Sequence, residues 1–99
     1  MKFDYIIIGA GSAGSVLANR LSENHNNKVA VFEAGGQSDI WKVKMPLALL
    51  YTMHDPKYNW KYYSEPEPHL NNRRLFCPRG KMIGGSSAHN GMVFVRGNR

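Results

Sequence analysis

Apolar and polar positions alternate on two different periods at the start of the chain. Tyr5-Ile6-Ile7-Ile8 is an unbroken apolar run rich in β-branched residues, the composition of a strand. It feeds into Gly9-Ala10-Gly11-Ser12-Ala13-Gly14, and from about Ser12 to Ser22 the apolar residues Val16, Leu17 and Leu21 recur at helical spacing. The polar loop Asn24-His25-Asn26-Asn27 follows, where His25 reads as solvated, and Lys28-Val29-Ala30-Val31-Phe32 supplies a second strand. The pattern predicts strand, glycine turn, helix and strand, a βαβ unit over residues 4–34.

The turn carries the chemistry. Gly9 permits a tight bend, Gly11 lets backbone amides approach a pyrophosphate, and Gly14 lets the helix lie close on the strand. The helix N-terminus offers unpaired N–H groups and the positive end of its dipole to phosphate. Glu33 ends the second strand nineteen residues after Gly14, the offset of an acid that binds an adenosine ribose. It is followed by Ala34-Gly35-Gly36, with no arginine to take a 2′-phosphate, so FAD or NAD is favoured over NADP. Glu33 as an ordinary surface carboxylate is the blander alternative.

Residues 37–78 are less periodic. Ile40 to Met45 precedes Pro46, which can start a short helix over Leu47 to Met53, read as core or as an interface, with a membrane role a weak second. His54-Asp55-Pro56 reads as a turn and not as a catalytic pair. Trp60, Tyr62 and Tyr63 form an aromatic strand that Glu65-Pro66-Glu67-Pro68 ends, and Asn71-Asn72 turns the chain into Arg73 to Cys77. A hairpin, or a loop covering a nucleotide, is expected. A second glycine segment occupies residues 79–92: Arg79-Gly80-Lys81-Met82-Ile83-Gly84-Gly85-Ser86-Ser87-Ala88-His89-Asn90-Gly91-Met92. Its Gly-Gly-Ser-Ser core exposes amides and hydroxyls to an anion or to a flat heteroaromatic ring; a flexible loop entering a helix at Ser86 or Ser87 is the plainer reading.

Composition narrows the class. With 42% apolar and 20% charged residues, the 99-residue chain is an ordinary globular protein. Cys77 is the single cysteine, so no internal disulfide points to an oxidising compartment, and a cytoplasmic location is expected. His25, His54, His69 and His89 lie far apart, and no metal site is expected. Asp4 stands where a signal peptide would be positive, and no apolar run approaches the length of a spanning helix. The formal charge of +6 sits entirely in residues 69–99, which hold six basic side chains and no acid, whereas residues 1–68 hold seven of each sign. We read this basic arm as surrounding a pyrophosphate or another anion, or as balanced by acids elsewhere, and not as a nucleic-acid surface. One βαβ unit is too little for a doubly wound sheet, and Gly97-Asn98-Arg99 carries no helix cap or closing strand, so part of a longer chain is expected.

The two glycine segments together resemble the glucose-methanol-choline (GMC) oxidoreductases, flavoproteins that oxidise alcohols. Gly9 to Ser15 with Glu33-Ala34-Gly35-Gly36 is similar to their FAD-binding start, and Arg79 to Ser87 through Asn90-Gly91 to their signature segment. Tyr58-Asn59-Trp60 and Glu65-Pro66-Glu67-Pro68 are similar to the corresponding run of bacterial choline dehydrogenases. The resemblance covers the whole chain.

It implies a Rossmann-type α/β FAD-binding unit, incomplete, with a loop- and hairpin-rich extension over 37–78. Gly9, Gly11, Ser12, Ala13 and Gly14 would hold the pyrophosphate, and Glu33 and Ala34 the adenosine ribose. Gly80, Gly84, Gly85 and Ser86 would lie along the flavin, with Asn90 and Gly91 beside its ring. The family's proton-accepting histidine lies near the C-terminus, beyond Arg99, so no catalytic residue is expected here. His89 stands where choline oxidases and some relatives carry a histidine bonded covalently to the flavin's methyl carbon; packing against the flavin or hydrogen-bonding to it remains the alternative.

The implied activity is hydride transfer from a small alcohol, choline-like or simple aliphatic, to FAD, with oxygen or a quinone-type compound as final acceptor. Peripheral association with the inner face of a membrane stays open for the intact protein. Two other readings stand beside it: an NAD-dependent dehydrogenase, which leaves the second glycine segment unexplained, and a non-catalytic or truncated FAD-binding module.

Overall fold

The structure, a computed structural model, describes residues 2–91, 93 and 95–98; Met92, the last residue of the second glycine segment, lies outside them. Strand β1, Tyr5–Ile8, pairs in parallel with β2, Val29–Phe32, in register from Tyr5 opposite Val29 to Ile8 opposite Phe32. Helix α1, Ser12–Ser22, connects them, as parallel pairing requires of a crossover. Asp4 closes the open end of the pair, its carboxylate accepting the Lys28 N–H at 2.9 Å while its own N–H donates to the Lys28 carbonyl at 2.9 Å. The expected βαβ unit is therefore present, with the second strand starting at Val29, one residue after the expected Lys28.

Side chains on β1 alternate as a pleated strand dictates: Ile7 is buried, while Ile6 and Ile8 on the other face are exposed. Helix α1 meets the strand through Gly14, where an added Cβ would lie 1.9 Å from the Gly9 carbonyl oxygen and 3.3 Å from Ile7 Cγ2. Only glycine allows that approach. The helical period of Val16 and Leu17 is correct, yet both are exposed, because no described element packs over them.

The chain next forms one helical turn, α2 (Trp41–Lys44), then a 3-10 turn at Pro46–Ala48 that continues into α3, Leu49–His54. The sequence pattern places the short helix after Pro46 but misses α2, whose four residues are too few to show a period. Of the two expectations for this apolar helix, core or interface, the first holds for part of it only. Ala48 and Thr52 are buried, but Leu47, Leu50 and Tyr51 are exposed, so one stripe alone is covered.

Strands β3, Tyr62–Tyr63, and β4, Phe76–Cys77, pair antiparallel as the expected hairpin, with Tyr62 opposite Cys77. Its far end is a 3-10 turn at Pro68–Leu70 followed by Asn71 and Asn72, both left-handed at φ 56°. Asparagine tolerates that conformation, so the expected turn forms at these two residues. Trp60 precedes the strand and belongs to a different pairing, through Asn59, with the second glycine segment.

Candidate functional site

Asn59 builds the wall on which that segment is laid. It is 1% exposed, and its side-chain oxygen accepts the N–H groups of Lys61 at 2.7 Å and Arg79 at 3.1 Å. Trp60 N–H donates to the Arg79 carbonyl and Lys81 N–H to the Tyr58 carbonyl, each at 2.9 Å, which sets residues 58–60 against 79–81. Met82, fully buried, then bridges to Gly36 beyond the end of β2, with Ile83 N–H donating to the Gly36 carbonyl at 3.0 Å.

This brings the second glycine segment onto the first, backbone against backbone. Gly84 N–H donates to the Ala10 carbonyl at 2.7 Å, and the Ser12 and Ser87 hydroxyls share a hydrogen bond of 2.7 Å. Gly85 has φ 57°, and a Cβ there would stand 3.0 Å from the Gly11 Cα. Residues 75 positions apart in sequence thus share one surface.

Two cavities border the second segment, the first of them where it meets the glycine turn. The first, about 350 Å³, is lined by Gly9 and Gly11 of the turn, Glu33 and Ala34 at the end of β2, and Gly80 and Gly85 of the second segment. Ile8, Phe32 and Trp60 complete its apolar wall. The second, about 260 Å³, shares Gly80 and is lined by Ser86, His89, Asn90 and Gly91, with Pro78, Arg79, Leu49 and Met53.

Of the residues expected to bind a cofactor, ten therefore line one of these cavities. Ser12 and Ala13 lie exposed on the first turn of α1, Gly14 is tucked beneath the Gly9 carbonyl, and Gly84 is joined to Ala10. The α1 N-terminus at Gly11 has no side-chain cap and no acid in its first turn, so no side chain of its own competes for those N–H groups.

Glu33 is more committed than its spacing suggests. One carboxylate oxygen accepts the Ala10 N–H at 2.7 Å and the other the Gly35 N–H at 2.9 Å, so the acid ties the glycine turn to the end of β2. Each oxygen keeps a second lone pair for an incoming hydroxyl.

His89 ends a 3-10 turn, Gly85–His89, and is 8% exposed. Among the described residues neither imidazole nitrogen has a hydrogen-bond partner. Burial lowers its pKa from the ordinary 6.5, so the ring is held neutral. A buried polar side chain without partners is costly, and this one borders the second cavity. Sequence reasoning did not place Trp60, Asn59 or Ser87 at the site. Ser87 lies inside the second glycine segment, whereas nothing about Asn59, a polar residue between Tyr58 and Trp60, signals burial.

Residues 3–99 match the family profile described as GMC oxidoreductase, nearly the full chain. The chain belongs to the GMC oxidoreductases. It is 61% identical over 98 residues to the oxygen-dependent choline dehydrogenase of Sinorhizobium fredii (strain NBRC 101917 / NGR234), covering 99% of this chain and 18% of that protein. Against the enzyme of the same name from Klebsiella pneumoniae subsp. pneumoniae, identity is 56% over 100 residues, again 99% of this chain and 18% of the relative. Among solved GMC-like structures, pyridoxine 4-oxidase from Mesorbium loti superposes with a TM-score of 0.85 at 36% identity, over 97% of this chain and 19% of that one. Aspergillus oryzae formate oxidase gives 0.77 at 36% identity, over 89% and 16%. The chain thus spans under a fifth of the length of the GMC relatives it matches.

Proposed function

We propose that the intact protein is an FAD-dependent oxidoreductase acting on the CH–OH group of a small alcohol, choline or a similar compound, with oxygen as acceptor and a quinone-type compound as the alternative. Relatives of this sequence are named oxygen-dependent choline dehydrogenases, which supports both substrate class and acceptor. The observation that carries the cofactor is the first cavity, where the pyrophosphate-type turn, the ribose-type acid and the second glycine segment meet.

The residues fit FAD on two counts: a groove floored by glycines, and a buried imidazole lacking a partner at the second cavity, which shares Gly80 with that groove. FAD supplies the two-electron acceptor that no side chain can. In this reading residues 4–34 hold the adenosine end, residues 79–92 the flavin end, and 37–78 form the connecting loop and hairpin. Gly11, Ser12, Ala13 and Gly14 present amides to the pyrophosphate, Gly9, whose own N–H donates to the Phe32 carbonyl, bends the turn around it, and Glu33 with Ala34 receives the ribose. Gly80, Gly84 and Gly85 keep Cβ bulk away from the flavin, along which Ser86 also lies, while Asn90 and Gly91 flank it. None of these groups takes the alcohol proton; that base belongs to a later part of the chain.

His89 offers a neutral nitrogen to the flavin, by a hydrogen bond or by a covalent bond to its methyl carbon. Acid precipitation of the intact holoprotein separates the two: colour in the pellet means a bond, and His89→Ala should then release it, whereas colour wholly in the supernatant rejects it. Among the described residues no helix is long and apolar enough to cross a membrane, and a cytoplasmic setting rests on the lone Cys77.

The test of function is anaerobic addition of choline to the intact protein. Loss of the oxidised flavin absorbance, reversed by air, is expected. A bound flavin that stays oxidised with choline and with simple primary alcohols overturns the reaction, and a colourless protein unable to take up FAD overturns the cofactor.

A further inference from the structure

Ser12 opens α1, and its hydroxyl already has a partner other than a phosphate. It shares a hydrogen bond of 2.7 Å with the hydroxyl of Ser87, 75 residues later. The direction of that bond follows from the next one. Ser87 has a single hydroxyl proton, which it donates to the Gly84 carbonyl at 2.7 Å, and a carbonyl can only accept. Both bonds form together only if Ser12 donates and the Ser87 oxygen accepts. The Ser12 proton is therefore committed to the second glycine segment, and its oxygen offers a neighbouring anion nothing but lone pairs.

This relay holds one end of a peptide whose other end is held by the same turn. Gly84 N–H donates to the Ala10 carbonyl at 2.7 Å, while the Gly84 carbonyl is reached from Ser12 through Ser87. The backbone bond survives any substitution of a side chain, whereas the relay depends on two hydroxyls. What it seats matters for the ligand. The 3-10 turn Gly85–His89 begins there without a side-chain cap of its own, and it carries Ser86 and His89 to the second cavity.

We propose that Ser12 is a positioning residue for the flavin end of the site. Through Ser87 its hydroxyl clasps the turn bearing Ser86 and His89 onto the start of α1, and that hydroxyl is not a phosphate ligand. The inference rests on the FAD reading of the site and deepens it: the Ser12 amide serves the pyrophosphate in that reading, and its side chain serves the other half of the ligand.

The experiment measures binding of ADP and of FAD to the intact protein prepared free of flavin from riboflavin-starved cells. Ser12→Ala and Ser87→Ala should each weaken FAD about three- to tenfold, as loss of one hydrogen bond would cause, and leave ADP within about twofold of wild type. The double variant should bind FAD within about twofold of the weaker single one, because the two hydroxyls form one interaction. Ser12→Thr, which keeps the hydroxyl, should restore FAD binding. Thermal melts of the flavin-free proteins identify a variant that fails to fold; if Ser12→Ala does, Ser87→Ala carries the test, and if Ser87→Ala does, Ser12→Ala against Ser12→Thr carries it. Equal losses of ADP and FAD in Ser12→Ala would make its hydroxyl a phosphate ligand and overturn the proposal. Unchanged FAD affinity in a folded alanine variant overturns it too, as do losses that add in the double variant. A wild-type protein that binds neither FAD nor ADP instead overturns the cofactor reading itself.

Discussion

Glu33 joins two functions in one carboxylate. Both oxygens already accept backbone N–H groups, from Ala10 and Gly35, and those bonds hold the glycine turn against the end of β2 before any ribose arrives. Glu33→Gln keeps the shape but replaces one acceptor by an NH2 that must face an N–H donor. The intact protein should lose about 1–2 kcal/mol of stability in denaturant titrations, and its FAD affinity should fall with it. His89 gives a prediction in pH. Its folded pKa lies below 6.5, so between those values the unfolded chain binds a proton that the native chain refuses. His89 therefore leaves stability intact above pH 6.5 and subtracts from it as pH falls through that value toward the lowered one. Denaturant midpoints of the flavin-free intact protein, taken from about pH 7.5 to about 5.5, should fall less steeply in His89→Leu than in wild type. Parallel slopes would refute the assignment.

At the scale of elements, β1, α1 and β2 were legible because their causes are local. A β-branched run, glycines at a fixed spacing and a helical apolar period each act within a few residues, and α1 spans Ser12–Ser22 as the period predicts. The docking of Gly84 and Gly85 onto Ala10 and Gly11 was not legible, since it depends on backbone approaching backbone across most of the chain. Burial of Asn59 was hidden for the same reason: its role comes from two N–H groups, one of them on Arg79. The exposure of Val16 and Leu17 was not legible either, because a period shows that a face exists and not what covers it. The tightest local joint offers a direct check. An alanine at position 14 would put its Cβ 1.9 Å from the Gly9 carbonyl oxygen, on backbone that cannot swing aside. Gly14→Ala should cost about 3 kcal/mol or more and move α1 off β1, seen as a lowered melting temperature and loss of flavin from the intact protein.

For the whole molecule, the balance between covered and open apolar surface decides what the 99 residues can do alone. Among the described residues the buried apolar ones are Ile7, Ala48, Tyr58 and Met82, whereas Ile6, Ile8, Val16, Leu17, Leu47, Leu50 and Tyr51 stand in water. Its radius of gyration is 16.8 Å, against about 13 Å for a globular domain of this length. The β1–β2 pair is a two-stranded sheet, with unpaired edges that invite association. Backbone ordering costs about 1–2 kcal/mol per residue, and so small a core does not offset it. Expressed by themselves, these residues should show no cooperative thermal transition, should bind a hydrophobic dye strongly, and should self-associate at micromolar concentration. The glycine turn and Glu33 would still be encoded, but the surface they share with residues 80–87 would not persist long enough to hold FAD. A sharp melt of the isolated chain with FAD retained through gel filtration would show instead that the joint between the two glycine segments is stable by itself, and that the exposed faces of α1 and α3 are not needed to build the nucleotide site.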